Sequence, residues 1–282
     1  MNEVFYNLNE DIYIKNFGGS TIIFSYESND YVIMSARDKS NKSRLLLGIL
    51  KNNYIEDLNE IVINDNNGLL DNSYGISYPF IQKNNKNNNI EYILFFTEWY
   101  KSNGLFKNRL CVSKLVYFKG LFQIFNLQKI GGQFENAGAI RILKTEKKEK
   151  GKVFIPFFKD NNQFEYNIYY SEISNNNISN PLSLIHKSFI PVNLPFKRSS
   201  CFTEFFYKNN IYCIFCARDD NNYSIYIIKE FKSNNKMEII KKYSYEKGLC
   251  YPYLNSIYDP EFFIASKGRY GDEGLVKIQI NL

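Results

Sequence analysis

Four carboxylate residues of this sequence stand where they could take part in acid–base chemistry. Asp38, Glu98 and Asp219 each follow an apolar run, whereas Glu135 opens one. A positioned carboxyl group can donate or accept a proton when its surroundings adjust its pKa. The alternative for Asp38 and Asp219 is a local role, in which they pair with a neighbouring arginine or cap a turn. The candidate catalytic residues are therefore Asp38, Glu98, Glu135 and Asp219.

Basic residues accompany these carboxylates in the same turns. Arg37 and Arg44 flank Asp38, and Arg218 precedes Asp219. Guanidinium groups hold phosphate or carboxylate groups bidentately, so the set suits an anionic small molecule. The alternative is that each arginine braces neighbouring strands through ion pairs and backbone carbonyls. The candidate binding residues of this kind are Arg37, Arg44, Arg109, Arg198, Arg218, Lys267 and Arg269.

Aromatic side chains supply a second kind of candidate binding surface. Trp99 is the single tryptophan and stands at the edge of a turn rather than inside an apolar run. Its ring face suits stacking against the apolar face of a ligand, with Tyr78, Tyr251 and Tyr270 in support. The alternative is that Trp99 packs between neighbouring sheets.

The elements that must position these residues form a repeat of apolar strand, charged turn and apolar strand. The clearest copy is Tyr31 to Leu50, and four further copies follow it. Their turn positions, at Asp38, Glu98, Lys159, Asp219 and Gly268, are separated by 60, 61, 60 and 49 residues. Such a period, with paired strands and polar turns, is typical of propeller blades. The sequence predicts an all-β fold, a single five-bladed β-propeller with minimal helix.

The whole chain, residues 1–282, is predicted to form one domain, because no linker rich in Pro, Gly and Ser divides it. The isolated strand-like segment 3–15 is predicted to complete the last blade and close the ring, which would remove an exposed sheet edge. The predicted blades cover residues 18–65, 75–129, 135–187, 198–245 and 250–282 with strand 3–15.

Propeller topology predicts which residues meet. Strands within a blade alternate in direction, so the start of each inner strand and the turn between its second and third strands lie at the same end. Five inner-strand starts and five charged turns are therefore expected to converge on one central funnel. We expect carboxylates to neutralise some arginines of this funnel and at least two arginine forks to point at solvent in the empty protein.

Composition excludes several function classes. The charge of +6 is spread along the chain, and no nucleic-acid-binding motif is present. Cys213 and Cys216 are three residues apart on a strand and so point to opposite faces, which argues against a metal or redox pair. His186, the only histidine, is expected to be structural. Without a cysteine framework, an N-terminal signal or a long apolar run, we expect a cytoplasmic protein with reduced thiols, no metal and no cofactor.

Two motifs carry a resemblance to a known group of proteins. The first turn reads S-A-R-D-K-S-N-K-S-R from Ser35 to Arg44, and the last repeat carries C-Y-P-Y from Cys250 to Tyr253 before Gly268-Arg269-Tyr270-Gly271. The chain resembles five-bladed propellers of the arabinanase and invertase glycosidase superfamily, in the group encoded among bacterial surface-polysaccharide biosynthesis genes. The resemblance covers nearly the whole chain.

The resemblance implies a carbohydrate-active enzyme of surface-glycan biosynthesis. It would transfer or cleave a glycosyl group of an anionic or nucleotide-activated sugar, with Glu135 as acid and Asp38 as base or orienting carboxylate. Its expected partner is a small-molecule sugar, sugar phosphate or nucleotide-sugar, and the oligomeric state stays open. The sequence departs from the glycosidases at Phe17 to Ser20, where they carry a catalytic Asp. The alternative is therefore a non-catalytic glycan-binding or scaffold propeller.

Overall fold

The computed structural model is built from β-strands, and the residues that it describes include no α-helix. In that part of the chain no helix is long and apolar enough to cross a membrane. The described residues are 1–8, 20–65, 68–70, 73–86, 89–135, 137–143, 150–158, 166–174, 184, 187–196, 198–219, 222–229, 238–268 and 273–282.

The strands follow the apolar runs of the sequence, because aromatic and β-branched residues favour a pleated, buried surface. In chain order they are Asn2–Leu8 (β1), Thr21–Tyr26 (β2), Asn29–Arg37 (β3), Ser43–Lys51 (β4), Tyr54–Glu60 (β5), Val62–Ile63 (β6), Gly75–Lys86 (β7), Asn89–Ser102 (β8), Leu105–Phe118 (β9), Leu121–Glu135 (β10), Arg141–Leu143 (β11), Lys150–Phe158 (β12), Tyr166–Ser174 (β13), Ile190–Pro191 (β14), Ser199–Tyr207 (β15), Asn210–Asp219 (β16), Asn222–Lys229 (β17), Ile239–Tyr243 (β18), Leu249–Leu254 (β19), Phe262–Lys267 (β20) and Leu275–Gln279 (β21).

Antiparallel pairing of consecutive strands divides the described structure into groups. We number them in chain order: group one is β2–β5, group two β7–β10, group three β11–β14, group four β15–β18 and group five β19–β21. Strand β1 pairs antiparallel with β21, with Asn2 opposite Lys277, and parallel with β5, with Phe5 opposite Tyr54. The first strand of the chain therefore joins group five to group one.

The apolar core lies between consecutive groups rather than within any one of them. Middle strands are buried on both sides, as in β17, where all six residues from Tyr223 to Ile228 are buried. Separate clusters of buried residues pack group one against group two, two against three, three against four and four against five. A further cluster packs group five and β1 against group one.

The inner strands of groups two, four and five share an irregularity. The strand register shifts between Ser77 and Phe80, between Ser200 and Thr203, and between Cys250 and Tyr253. Each shift contains one non-glycine residue at positive φ, an uncommon conformation for residues of this size. These residues are Tyr78 (φ 54°), Cys201 (φ 55°) and Tyr251 (φ 56°).

The structure differs from the sequence predictions in two places. Glu98, Trp99 and Arg109 were predicted to lie in a turn, but they lie inside β8 and β9, which continue to a tight turn at Asn103-Gly104. Asn-Gly with positive φ at both residues matches the twist of a two-residue hairpin and sets the turn there. Glu135 was predicted to open the third inner strand, but it is the last residue of β10 and lies opposite Arg109.

Candidate anion-binding site

Strand register divides the basic residues of the first charged turn between two sides of one sheet. Arg37 lies opposite Ser43, whereas Arg44 lies opposite Ala36. Side chains alternate along a strand, and directly opposite residues project to the same side. Arg37 and Arg44 therefore project to opposite sides of group one.

The same register identifies equivalent residues in the other groups. Ser77 pairs with Thr97, and Ser200 pairs with Cys216, so Trp99 and Arg218 occupy corresponding positions two residues further along. In group one, Arg37 stands two residues after Ser35, which corresponds to Thr97. We therefore call Arg37, Trp99 and Arg218 the repeat positions.

Two repeat positions, Arg37 and Trp99, lie on the side of their sheet that faces the next segment of the chain. Ser35, on the same side as Arg37, accepts a hydrogen bond at 3.0 Å from the backbone N–H of Tyr78 in group two. Thr97, on the same side as Trp99, donates a hydrogen bond at 3.3 Å to the carbonyl of Gly138. Arg37 therefore projects toward group two, near the register shift that contains Tyr78.

A pair of tyrosines forms the centre of the site. The rings of Tyr78 and Tyr251 come from groups two and five, and their centroids are 5.6 Å apart. Burial raises the pKa of Tyr78, while its hydrogen bond with Tyr251 and the positive charge of Arg37 act in the opposite direction. The Tyr78 phenol is therefore neutral at physiological pH and close to Arg37.

Arg218 is linked to this pair through Tyr223. It is directly opposite Tyr223, and the Tyr223 phenol is close enough to Tyr78 to raise the pKa of Tyr78. Tyr223 and Tyr251 belong to the same buried cluster. Contacts among groups one, two, four and five thus link Arg37 to Tyr78 and Tyr251, and Arg218 to Tyr223.

The two arginines have hydrogen-bonding capacity left over. The Nε atoms of Arg37 and Arg218 are buried and have no hydrogen-bond partner among the described residues. A buried donor without a partner is unfavourable by about 1–3 kcal/mol, and more when the group is charged. An anion with oxygen acceptors would satisfy both groups and stabilise this arrangement.

A third guanidinium lies nearby and is completely enclosed. Arg141 is 3 % exposed, and its guanidinium carbon is 5.7 Å from the ring centres of both Phe80 and Tyr253. It donates a hydrogen bond to its neighbouring carbonyl of Ile140 and one at 3.5 Å to the Cys201 sulfur. Sequence reasoning missed Arg141 because it stands within an apolar strand rather than in a charged turn.

Trp99 is fixed by a specific hydrogen bond. Its indole N–H donates to the Ser77 hydroxyl at 2.6 Å, and its ring centre is 6.2 Å from that of Tyr78. The tryptophan therefore extends the tyrosine pair into an arc of three aromatic residues. Ser77 belongs to an inner-strand start that was expected to border the funnel. Tyr223, like Arg141, was not predicted; it follows a polar run, and no local motif marks it.

Glu98 is surrounded by cations. Its side chain is 1 % exposed and receives Arg109 Nε at 2.7 Å and Lys129 Nζ at 3.1 Å. The Arg109 guanidinium also stacks on the Tyr100 ring at 4.2 Å. Glu98 is adjacent to Trp99 in β8 and therefore projects to the opposite side of the sheet. This arrangement favours a structural role for both Glu98 and Arg109.

Asp38 organises its own turn. Its carboxylate accepts hydrogen bonds from the Ser40 hydroxyl at 2.6 Å and from the backbone N–H groups of Ser40 and Lys42 at 2.9 Å. These bonds and Arg44 lower the pKa of Asp38, although burial acts in the opposite direction. An ionised, bonded carboxylate suits a capping or orienting role rather than that of an acid.

Arg44 lines a different cavity. Its guanidinium pairs with Asp38 and with Glu60, both at 3.2 Å. It borders a cleft of about 370 Å³ between β4 and β7 that also contains Asp65 and Ser73. Both acidic and basic side chains line this cleft.

The remaining predicted residues either make contacts within the protein or lie outside the described part of the chain. Lys267 pairs with Glu3 at 2.7 Å and so connects β20 to the first strand. Arg198 accepts a hydrogen bond at its backbone carbonyl from the N–H of Arg218 at 2.9 Å. The side chains of Glu135 and Asp219, and the residues Lys159, Asp160, His186, Arg269 and Tyr270, lie outside the described part.

The cysteines do not form a metal site in the part of the chain that the structure describes. All five are buried and free of disulfides. No group of three or more His, Cys, Asp or Glu residues there could hold a metal ion. Hydrogen bonding with Cys216 and the charge of Arg141 lower the pKa of the Cys201 thiol against the opposing effect of burial.

The comparisons with known proteins agree with this architecture. No protein-family model and no curated protein sequence matches the chain. Among solved structures, an α-L-arabinofuranosidase from Lactobacillus brevis is similar over 96 % of this chain and 92 % of its own, with 12 % identity and a TM-score of 0.62. A family 117 glycoside hydrolase from Zobellia galactanivorans is similar over 98 % and 87 %, with 11 % identity and a TM-score of 0.59.

A mannose phosphorylase from Leishmania mexicana, solved with a phosphate ion, is similar over 84 % of this chain and 71 % of its own, with 11 % identity and a TM-score of 0.54. At such low identities the likeness concerns the fold alone. The chain therefore has the all-β fold of the arabinanase-like, propeller-type glycoside hydrolases.

Proposed function

We propose that this protein is a carbohydrate-active propeller that binds an anionic or nucleotide-activated sugar between Arg37 and Arg218. The anionic group would accept hydrogen bonds from the two guanidinium groups, and the sugar ring would lie along Tyr78, Tyr251 and Trp99. The observation that carries the proposal is a pair of buried Nε–H groups without hydrogen-bond partners among the described residues. One belongs to Arg37, beside Tyr78, and the other to Arg218, opposite Tyr223.

The proposal includes a five-bladed ring in which groups one to five are the blades. It is supported by the buried clusters that pack each group against the next and group five against group one. The pairing of β1 with both β21 and β5 supports closure by the N-terminal strand. In such a ring the repeat positions would face the central axis.

The sugar part of the proposal draws on two observations. Three aromatic residues form an arc beside the arginines, and aromatic rings suit the apolar faces of sugars. The fold neighbours are glycoside hydrolases and a phosphorylase, and the phosphorylase was solved with a phosphate ion. Both fit a ligand that joins a sugar ring to a negative charge.

The reaction we propose is glycosyl transfer or cleavage within surface-glycan biosynthesis in the cytoplasm. Glu135 and Asp219 are the carboxylates we propose for the acid and base roles, because Asp38 and Glu98 are already bonded within the protein. Such chemistry requires one carboxyl group that protonates the leaving oxygen and commonly a second that acts as base or nucleophile.

Binding without turnover is the second candidate function. The observation that favours it is the state of two other predicted carboxylates: Asp38 has a lowered pKa and caps its turn, and Glu98 is held by two cations. Neither is available as a general acid. In this reading the arginines and tyrosines hold a glycan, and no bond is broken.

Calorimetric titration tests the proposed binding site. The ligands are a hexose 1-phosphate, a nucleotide-sugar and the corresponding neutral hexose, each with the unchanged protein and with Arg218→Ala. We expect the charged ligands to bind and Arg218→Ala to weaken them by about 1.5–3 kcal/mol, the range of a hydrogen bond to a charged group. Arg44→Ala is the matched control, because Arg44 projects to the other side of its sheet.

Equal losses in Arg218→Ala and Arg44→Ala would contradict the site, as would binding of the neutral hexose that Arg218→Ala weakens as much as that of the charged ligands. A turnover assay then separates the two candidate functions. Release or transfer of the sugar that Glu135→Gln abolishes, with ligand affinity retained, supports an enzyme. Tight binding of the charged sugar without conversion supports a glycan-binding protein.

A further inference from the structure

A second cavity lies between groups three and four, separate from the arginines and tyrosines of the central site. It is a cleft of about 570 Å³, within the size range of small-molecule sites. Aromatic side chains make up much of its wall: Phe154 and Phe202 have ring centres 5.0 Å apart, and Tyr170 lies 6.2 Å from Phe154. The segment from Pro191 to Leu194 forms another part of its lining.

An ion pair stands among these apolar residues. Lys152 Nζ donates to both carboxylate oxygens of Glu204, at 2.7 and 2.9 Å. The side chain of Glu204 is 11 % exposed and that of Lys152 is 28 % exposed. Enclosing two charges carries a desolvation penalty, and apolar residues of similar size often stabilise a protein equally well. The pair therefore supplies polarity that packing alone does not require.

The charge of the lining selects the kind of ligand. Two carboxylates, Glu172 and Glu204, and one ammonium group, Lys152, border the cleft. Glu172 also pairs with Lys150 at 3.3 Å, so the described residues of this lining have no unpaired positive charge to attract an anion, unlike the arginines of the central site. An ammonium donor beside a carboxylate acceptor complements two neighbouring hydroxyl groups, one of which accepts while the other donates. Aromatic walls complement the C–H face of a sugar ring.

We propose that this cleft binds a neutral hexose ring, with its hydroxyl groups on Lys152 and Glu204 and its C–H face against Phe154, Phe202 and Tyr170. The site is independent of the anion-binding site, so the protein can hold a neutral sugar on its side while the centre holds a charged one. A glycan with both kinds of residue, or two separate sugars, would satisfy the two sites.

Saturation-transfer difference NMR with neutral methyl hexosides and a neutral disaccharide tests the inference. We expect signals from the ring C–H protons, because these would contact the aromatic walls. Trp99 is the only tryptophan and lies in the central site, so its fluorescence reports on that site separately. Neutral sugars should give NMR signals at concentrations that leave the Trp99 emission unchanged.

Variants assign the signals to the cleft. Glu204→Gln retains the shape of the side chain but removes its charge, and Tyr170→Ala removes a half-buried wall. We expect each to weaken neutral-sugar binding at least fivefold. Glu56→Gln is the matched control, since Glu56 pairs with Lys51 in group one, away from the cleft.

Melting temperatures of all variants show whether each still folds, and Tyr170→Ala serves if Glu204→Gln does not fold. Absence of saturation transfer for every neutral sugar overturns the inference, as does binding that both cleft variants leave unchanged. If Arg37→Ala abolishes neutral-sugar binding, the sugar binds at the central site, and the inference is overturned. Failure here leaves the central proposal intact, because that proposal is tested with charged ligands.

Discussion

Glu98 and Arg37 come from corresponding stretches of two repeats, yet their surroundings differ completely. Glu98 is enclosed by Arg109 and Lys129, so its charge is compensated within the protein. Arg37 has a buried Nε with no partner among the described residues. The two residues project to opposite sides of their strands, one into a satisfied ion cluster and the other toward the tyrosine pair. Strand alternation thus separates a structural charge from one that we propose to bind ligand.

The largest loss of stability is expected on replacing Glu98, because Arg109 and Lys129 compensate its charge. Replacing Glu98 with Ala leaves two cations that shared one carboxylate, and loss of one member of a buried ion pair costs about 3–5 kcal/mol. Arg109 and Lys129 are partly exposed and can regain water, so we expect the lower end of that range. Urea unfolding measures the change.

Glu91→Ala is the control for this prediction, because Glu91 pairs with Lys114 in a more exposed position where ion pairs contribute about 0–1 kcal/mol. If both variants lose the same small amount, the Glu98 cluster is not a structural element. If Glu98→Ala instead folds normally and loses ligand affinity, Glu98 belongs to the binding site.

A more subtle change asks whether Arg37 acts through its charge or through its Nε–H group. Arg37→Lys retains the positive charge and removes the forked donor geometry. We expect a loss of about 1–2 kcal/mol in the binding of a sugar phosphate, since one charge-assisted hydrogen bond is removed. Unchanged affinity in calorimetry would mean that the site provides only a general positive field.

The hydrogen bond between Ser77 and the Trp99 indole is expected to contribute less. Ser77→Ala removes an acceptor that is 2.6 Å from the indole nitrogen, a change worth about 0.5–1.5 kcal/mol. The tryptophan emission should change, and sugar binding should weaken slightly because the ring is no longer held in place. Identical emission spectra would show that packing alone fixes Trp99.

The smallest expected effect is the pH-dependent contribution of Asp38 to folding stability. Hydrogen bonds to its ionised form lower its pKa in the folded protein. Its contribution to stability is therefore present above its unfolded pKa of about 3.9 and is lost as the pH falls through the lower folded value. The stability difference between the unchanged protein and Asp38→Asn should shrink between pH 6 and pH 3. A constant difference over that range would mean that the charge of Asp38 is not involved.

The sequence predicted the all-β architecture well, because repeated apolar runs with polar turns are a strong local signal. The inner strands beginning near Thr21, Gly75, Ser199 and Leu249 lie where the repeats indicated. The extension of β8 and β9 to Asn103-Gly104 was missed, since the charged residues Glu98 and Arg109 were taken as the end of the strands. In the structure they compensate each other, so a strand can carry them.

Which residues of the candidate site come together was harder to predict than the strands that carry them. Which side of a strand Arg37 or Arg44 occupies depends on the pairing register, and a shift of one residue exchanges the sides. Tyr78 and Tyr251 meet because register shifts in two distant strands turn them toward each other. Arg141 reaches the centre from within an apolar strand. These relationships are long-range, and no local pattern encodes them.

The most direct test of the central claim observes the two Nε–H groups themselves. In protein with ¹⁵N-labelled arginine, Arg37→Lys and Arg218→Lys assign the two side-chain resonances, and a hexose 1-phosphate is then added. We predict that both resonances shift together on binding, while that of Arg109, already paired with Glu98, stays in place. A ligand that binds without moving either resonance, or that moves only Arg109, would contradict the account.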